Sequence, residues 1–547
     1  MSEPTAPVRT TTTTTRAAAG MGAITAVSRA LGLVRVLVVT AVLGVSFLGN
    51  AFQQANSVSN VLFELLAAGA LSAVLVPAFV ELLDRHDREG AQQVAGGVLG
   101  VALAGLGVVT VVGVAGAPWL ARVLTAAAPA DVQADQRELV AYLLRFFVPQ
   151  IMLYAAGTIA TAVLYALRRF AVTAAAPIGN TVVMVAALAV FRAVAGPEPT
   201  LVLSPGERLL LVVAGTGGVV AFVGVLVGAC ELAGFRLRPR RPRGDPRVGA
   251  VLRHSGWGVV LHTGAGMLLG AALIAGNGVE GGVVAYQVGW VIFLAPYAVL
   301  AQPIHTAILP ELVTEAREHG PTRVAASLRW AVERMALLVV PASAAMAALA
   351  LPAMRLVSFG AAGDQGSQVL AAALAGLAFG LLPYSAFLLF ARGYYALGDS
   401  RTPGLVSVAC ATVGVGVMVV GSLALDGDAR IFALGLGHSV AYAVGVVVLG
   451  VGLARRTRGS LWPAALGRVV GVSAVVGLGA WWASRALLDG GSGRLEALVT
   501  LTLVGLVGTG AVVGGYRLLG VRGALTERTG TPPGSSGAAP DGAEVVA

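Results

Sequence analysis

The sequence predicts an all-α polytopic membrane protein, and three observations carry that expectation. Of the 547 residues, 57% are hydrophobic and only 12% are charged, which lies far from soluble globular usage. Apolar stretches long enough for one bilayer crossing, about 20 residues each, recur about fourteen times along the chain. The charges that remain collect in short segments between those stretches, and arginine dominates every second one.

The first sixteen residues are polar and Thr-rich, so 1–16 is expected to be a disordered N-terminus. No small-residue cleavage pattern follows a short apolar core, and no removable signal peptide is expected. The crossings lie near 19–46, 51–81, 92–117, 138–166, 171–195 and 208–233, forming an N-lobe over 17–235. A basic linker, 236–248, follows. A second set near 249–276, 283–309, 325–352, 368–394, 403–425 and 430–454 forms a C-lobe over 249–455. Two more segments, near 464–487 and 496–519, are an appendage within 456–520. The tail 521–547, with its Thr-Pro-Pro-Gly-Ser-Ser-Gly run, has the composition of a disordered segment.

Loop charge sets the expected orientation. Arg85 and Arg88, Arg168 and Arg169, the run Arg236 to Arg247, Arg317 and Arg323, Arg401, and Arg455, Arg456 and Arg458 fall on alternate loops. The positive-inside rule makes those loops cytoplasmic. The opposite set carries acids, among them Asp131, Asp135, Glu198, Glu280, Asp364, Asp426 and Asp428. With an even number of crossings both termini are cytoplasmic. The net charge of +10 is therefore topological rather than a nucleic-acid face. Cys230 and Cys410 stand far apart in apolar stretches with no metal spacing, and no metal site is expected.

An internal repeat appears at a shift of 233 residues. Ala73 to Glu81 reads AVLVPAFVE and Thr306 to Thr314 reads TAILPELVT, which aligns Pro77 with Pro310. The same shift aligns Gly49 with Gly282, Gln54 with Gln287, and Arg29 with His262. Tyr165-Ala166-Leu167 matches Tyr395-Ala396-Leu397 at a shift of 230, as one loop deletion would produce. Two similar halves suit a transporter whose substrate sits between repeats.

Arg29 and Arg35 lie deep in the first apolar segment, where each arginine costs about 2.5 to 3.5 kcal/mol on insertion scales. They must face protein, water or a ligand. The alternatives are a cationic substrate cavity, or a structural charge pair with Glu64, the one carboxylate near the middle of a segment. Six residues separate the two arginines, roughly 120° around a helix, so a shared cavity must be broad or the helix must bend at Gly32. Glu64 is either their partner or a carrier of protons or cations. His262 is a titratable group or a neutral histidine bonded to a neighbouring helix. Asn50, Asn60, Gln53, Gln54, Gln287 and Gln302 line a cavity or bond helix to helix, with the structural role leading. No Walker loop, zincin motif or nucleophile elbow is present, which argues against an ATP-driven pump or an intramembrane hydrolase.

The ordered set Ser28 to Arg35, Asn50-Ala51-Phe52, Asn60, Gly69-Ala70, Val76-Pro77, Val148-Pro149-Gln150, Leu164 to Phe170 with Pro177, Ala307 to Pro310, Arg392 to Ala396, and Asp399 to Pro403 resembles the MurJ/MviN family of lipid II flippases. The resemblance covers about the first twelve helices. It implies a two-lobed bundle around a cationic cavity, moving an undecaprenyl-diphosphate-linked glycan from the inner to the outer leaflet of the bacterial plasma membrane. It implies no covalent chemistry and no cofactor. Arg29 and Arg35 match the family arginines that meet the diphosphate, a role suited to a planar, permanently charged fork of donors. Departures stand at Val36, where the family carries an acid, at Asn50 for aspartate, and at Phe63 and Val291 for arginines. Either the cavity is rebuilt with Glu64, His262 and Gln287, or the chain handles a different lipid-linked glycan; Asn50 is a further substrate-binding candidate.

The leading expectation is thus a lipid II flippase acting by alternating access. Its alternatives are a flippase for another lipid-linked glycan, a multidrug-exporter-like antiporter, and a non-transporting scaffold for cell-wall synthesis proteins. The expected partners are the lipid-linked precursor, membrane lipids and cell-wall synthesis proteins, with no nucleic acid.

Overall fold

The computed structural model describes residues 31–32, 34–63, 69–241, 256–488 and 493–521. Arg29, Glu64, the N-terminus and the tail beyond 521 lie outside the described residues, as does the linker from 242 onward. Among the described residues the chain is helical, as the composition and segment lengths predict.

The helices run α1 Val34–Leu43, α2 Phe47–Phe63, α3 Gly69–Asp84, α4 Arg88–Ala115, α5 Ala117–Leu124, α6 Ala130–Phe147 and α7 Gln150–Ala166. They continue with α8 Phe170–Ala195, α9 Pro205–Val212, α10 Gly218–Leu232, α11 Gly256–Ala275, α12 Gly282–Pro296, α13 Gln302–Glu318 and α14 Pro321–Ala348. The last are α15 Ala350–Val357, α16 Gly363–Ala378, α17 Leu381–Ala396, α18 Arg401–Ala424, α19 Gly427–Thr457, α20 Leu466–Leu488 and α21 Arg494–Leu518.

Their starts follow local chemistry. The Ser46 hydroxyl accepts from the Gly49 N–H at 3.2 Å and caps α2. Asp87 caps α4 by accepting from the Gly90 N–H at 2.8 Å. Ser204 and Glu207 close a reciprocal capping box at α9, and proline opens α9 and α14, where its missing N–H costs nothing.

Eleven helical stretches are long and apolar enough to cross a membrane, or twelve when the bent pair 366–378 and 381–396 is counted as one. The expected count of fourteen is not reached among the described residues. The shortfall sits in the first two expected crossings, near 19–46 and 51–81, each of which includes residues outside the described ones.

The repeat is carried by helix boundaries. Adding 233 takes α4, 88–115, onto 321–348, the bounds of α14, and α5, 117–124, onto 350–357, the bounds of α15. Pro77 inside α3 and Pro310 inside α13 keep this register. Between α12 and α13 the chain makes one π-helical turn, Tyr297–Ala301, a break typical of functional helices.

Packing divides the chain into two compact units: 1–292 with 353–377 and 407–441, and 293–352 with 378–406 and 442–547. This division differs from the lobe boundary expected at 236–248. In the first unit Leu139, Leu143, Phe147 and Leu211 form one apolar core with Phe52, and Phe52 meets Phe147 edge-on at 5.7 Å. A second core there joins Leu75, Phe79, Val98, Ile159 and Leu226. In the second unit Ala336, Leu337, Val469 and Tyr516 pack together. Cys230 and Cys410 are buried and free.

Candidate functional site

Arg35 is half-buried on α1 and interacts electrostatically with Tyr154 on α7. A guanidinium at such a position needs donors' partners or water close by, and the phenol supplies one polar neighbour. Tyr154 was not anticipated from sequence; a tyrosine inside an apolar helix is the signal that points to it.

Asn50 is fully buried near the start of α2. Its Nδ2 donates to the Val279 carbonyl at 3.1 Å, and its Oδ1 accepts from the Val283 and Val284 N–H groups at 3.0 and 3.3 Å. Those N–H groups belong to the first turn of α12 and have no partner within that helix. Asn50 therefore caps α12 from another helix.

Gln54, one turn further on, donates through Nε2 to the Leu124 and Leu273 carbonyls at 2.8 and 2.9 Å. Its repeat partner Gln287 is half-buried and donates to the Ser57 hydroxyl at 2.6 Å. Gln136 and Asn277, both fully buried, exchange two amide hydrogen bonds of 2.8 Å. Gln136 also reaches the Phe47 carbonyl at 3.2 Å. Arg430 closes the set by donating to the Ala275 carbonyl at 3.1 Å.

These contacts fasten the α1–α2 turn and the start of α2 to the α11–α12 turn and the start of α12. Gly281 lets the second turn approach. Its φ is +68°, and a Cβ there would stand 2.7 Å from the Val45 carbonyl oxygen. His262 lies half-buried on α11, the helix that ends at this seam, and has a polar or ring partner of its own.

Of the six residues expected at the site, Asn50 and Gln287 meet α2–α12 neighbours, Arg35 sits on α1, and His262 on α11. Arg29 and Glu64 lie outside the described residues. Sequence reasoning missed Ser57, Gln136 and Asn277. Their signal was present as amides and a hydroxyl within apolar helices, but their partners stand more than a hundred residues away.

The arrangement holds no nucleophile–base pair, and among the described residues no group of three metal-ligating side chains occurs. What it offers is a polar seam between repeat-related helices and, on α1, a half-buried guanidinium beside Tyr154. A family profile described as "Lipid II flippase MurJ" matches residues 39–498. The chain belongs to the MurJ family.

A "Lipid II flippase MurJ" of Burkholderia cenocepacia is 27% identical over 417 residues, covering 75% of this chain and 77% of that one. A "Probable lipid II flippase MurJ" of Rhizobium meliloti is 28% identical over 416 residues, covering 74% of each. Among solved structures, "Lipid II flippase MurJ, inward closed conformation" aligns with a TM-score of 0.69 at 16% identity, covering 91% of this chain and 99% of that one. A multidrug resistance transporter of the MATE family and MOP superfamily, inward-facing, aligns at 0.61 with 14% identity, covering 79% of this chain and 96% of that one. Both share the fold of this MurJ-family chain.

A second polar knot closes the loop between α17 and α18. Asp399 accepts from the Thr402 N–H at 2.9 Å and the Thr402 hydroxyl at 2.6 Å, capping α18. It also pairs with Arg456 at 2.6 Å, whose guanidinium lies 4.9 Å from the centre of the Tyr394 ring. Burial raises the Asp399 pKa, but the Thr402 hydrogen bonds and Arg456 outweigh it and hold the carboxyl at about 2. The Asp399 to Pro403 motif and Tyr394 thus have a structural role: they tie the end of α17 and the start of α18 to the end of α19.

Proposed function

We propose that the chain is a lipid II flippase: it carries undecaprenyl-diphosphate-linked peptidoglycan precursor from the inner to the outer leaflet of the bacterial plasma membrane. The observation that carries this reading is the family match over 39–498. The duplicated helix boundaries support alternating access, because two halves with the same breaks can exchange roles around one substrate.

In this reading Arg29 and Arg35 hold the diphosphate, and Glu64, His262 and Gln287 complete the polar lining. Asn50 acts by setting the α2–α12 seam. The lobes are 17–235 and 249–455, joined by 236–248, with 456–520 appended. Arginine-rich alternate loops put both termini in the cytoplasm. The protein makes and breaks no covalent bond and needs no cofactor, and cell-wall synthesis proteins are its natural neighbours.

The test is complementation of a flippase-depleted strain by the Arg29→Ala/Arg35→Ala variant at normal expression. Loss of growth is expected, and unimpaired growth overturns the assignment. Native mass spectrometry of the purified protein with lipid II and other lipid-linked glycans reads the substrate directly.

A further inference from the structure

The end of α13 carries charges that its counterpart in the first repeat lacks. Adding 233 to Leu82 on α3 and Val94 on α4 gives Glu315 on α13 and Ser327 on α14. Leu82 and Val94 are 5% and 2% exposed and share one apolar core. Glu315 and Ser327 are as deeply buried, at 6% and 2%. The first repeat closes this corner with hydrocarbon alone, so packing does not require the carboxyl of the second.

Glu315 is incompletely paired. Its Oε1 accepts from the Ser327 hydroxyl at 2.8 Å and faces the Arg323 Nε at 3.7 Å, too far for a hydrogen bond. Its Oε2 is buried and has no donor among the described residues, a costly state for a carboxylate oxygen. Glu311, one turn earlier, is half-buried and interacts electrostatically with both Glu315 and Arg323. Side chains four apart on a helix have Cβ atoms about 5 to 6 Å from each other, so the Glu311 carboxyl is within reach of the bare Oε2. Arg323 is the charged group that α14 turns to the pair, whereas α17, which also packs on α13, turns Arg392 to Tyr297 and His305. Arg317, Glu318 and His319, at the end of α13, are exposed.

Two carboxylates facing one guanidinium leave a negative charge over, and two acids sharing a site readily hold one proton between them. We propose that Glu311 and Glu315 form a proton-binding site that fastens the end of α13 to α14. With the proton bound, the Glu311 carboxyl donates to the Glu315 Oε2, Ser327 and Arg323 serve Oε1, and the cluster is neutral. Without it, two carboxylates repel across one helical turn and the contact loosens. Both acids lie beyond the crossing expected over 283–309, and the half-buried Glu311 gives the proton its way in. The assignment goes beyond the flippase reading and does not rest on it.

The test is infrared spectroscopy of the full-length protein in detergent with carbonyl-labelled glutamate. A lone glutamate gives up its proton at about 4.3. About one pH unit or more above that value, wild type should show one labelled carboxylic acid more than either Glu311→Gln or Glu315→Gln. The melting temperature of wild type should fall as pH rises through this titration, because the folded pair binds the proton more tightly than the unfolded chain does. Glu311→Gln, whose amide donates to Oε2 at every pH, should flatten that dependence. Should Glu315→Gln fail to fold, Glu315→Leu/Ser327→Val rebuilds the pair that the first repeat has at Leu82 and Val94, and should fold without the extra acid. Equal acid content in wild type and all three variants overturns the site. A melting temperature that rises with sodium in wild type but not in Glu311→Gln, with no extra acid seen, overturns the proton in favour of a metal cation.

Discussion

Asn50 and Val283 occupy the same register of the two repeats, 233 residues apart, and are joined directly: the Asn50 Oδ1 accepts the Val283 N–H at 3.0 Å. The same carboxamide accepts from Val284 and donates to Val279. One side chain thus satisfies three backbone groups at the start of the second repeat's α12, in a buried place where unpaired groups are costly.

Asn50→Ala should therefore loosen the α11–α12 turn. Losing an N-cap costs about 1 kcal/mol, up to about 2, equivalent to about a five- to thirtyfold gain in local opening. Hydrogen exchange at Val283 and Val284 should accelerate by that factor. Asn50→Asp keeps both accepted N–H bonds but sets a carboxylate against the Val279 carbonyl, so its exchange should fall between wild type and alanine. Unchanged exchange in the alanine variant would remove Asn50 from this role.

The Gln136–Asn277 pair makes a separable prediction. Gln136→Ala and Asn277→Ala each leave a buried amide without its partner, and a double-mutant cycle on thermal stability should show coupling of about 0.6 kcal/mol, with about 1.7 as the ceiling seen for membrane helices. Replacing both with leucine should cost less than either single alanine change, because no unpaired amide remains. Strictly additive alanine effects would show that the two amides do not act together.

Much of this architecture was legible because period and composition are local signals. Apolar run length gave the eleven or twelve crossings seen among the described residues, and Pro77 with Pro310 gave the repeat register that α3 and α13 obey. The role of Asn50 was not legible. Nothing near it in sequence distinguishes an amide that lines a cavity from one that caps a helix 233 residues away. Gln136 escaped for the same reason, since its partner Asn277 lies 141 residues distant. The packing division at 292 could not be read from charge or hydropathy, since it interrupts a continuous apolar stretch.

Arg35 tests the electrostatic part of the functional reading. Arg35→Lys retains the charge but loses the planar fork that matches a diphosphate, so complementation should be partial and should require higher expression. Arg35→Gln should fail even at high expression, while membrane insertion, read by protease protection, stays normal. Equal growth of the two variants would mean that charge at this position does not matter.

Asp399 gives a pH prediction. Its carboxyl titrates at about 2 in the folded protein, held there chiefly by Thr402 and Arg456 against the opposing effect of burial, compared with about 3.9 when unfolded. A depressed carboxyl stabilises the fold fully above about pH 4 and loses that contribution as pH falls towards 2. Asp399→Asn should lower the melting temperature at pH 7, and the difference from wild type should shrink below about pH 4. A difference that stays constant across that window would show that the Asp399 carboxyl is not held low in the folded protein.

Gly281 and Gly320 together separate backbone conformation from crowding. Both have positive φ, +68° and +80°, but a Cβ at Gly320 meets nothing within 4 Å whereas one at Gly281 strikes the Val45 backbone. Gly320, with ψ of 176°, sits in a region that almost only glycine occupies, and Gly320→Ala should cost that conformational penalty alone, about 1 to 3 kcal/mol. Gly281→Ala must in addition push the α11–α12 turn away from Val45, which strains the hydrogen bonds Asn50 makes to Val279, Val283 and Val284. Both variants should lose thermal stability, but only Gly281→Ala should raise hydrogen exchange at Val283. If the two alanine variants exchange alike at Val283, the close approach of Val45 and Gly281 does not set the seam.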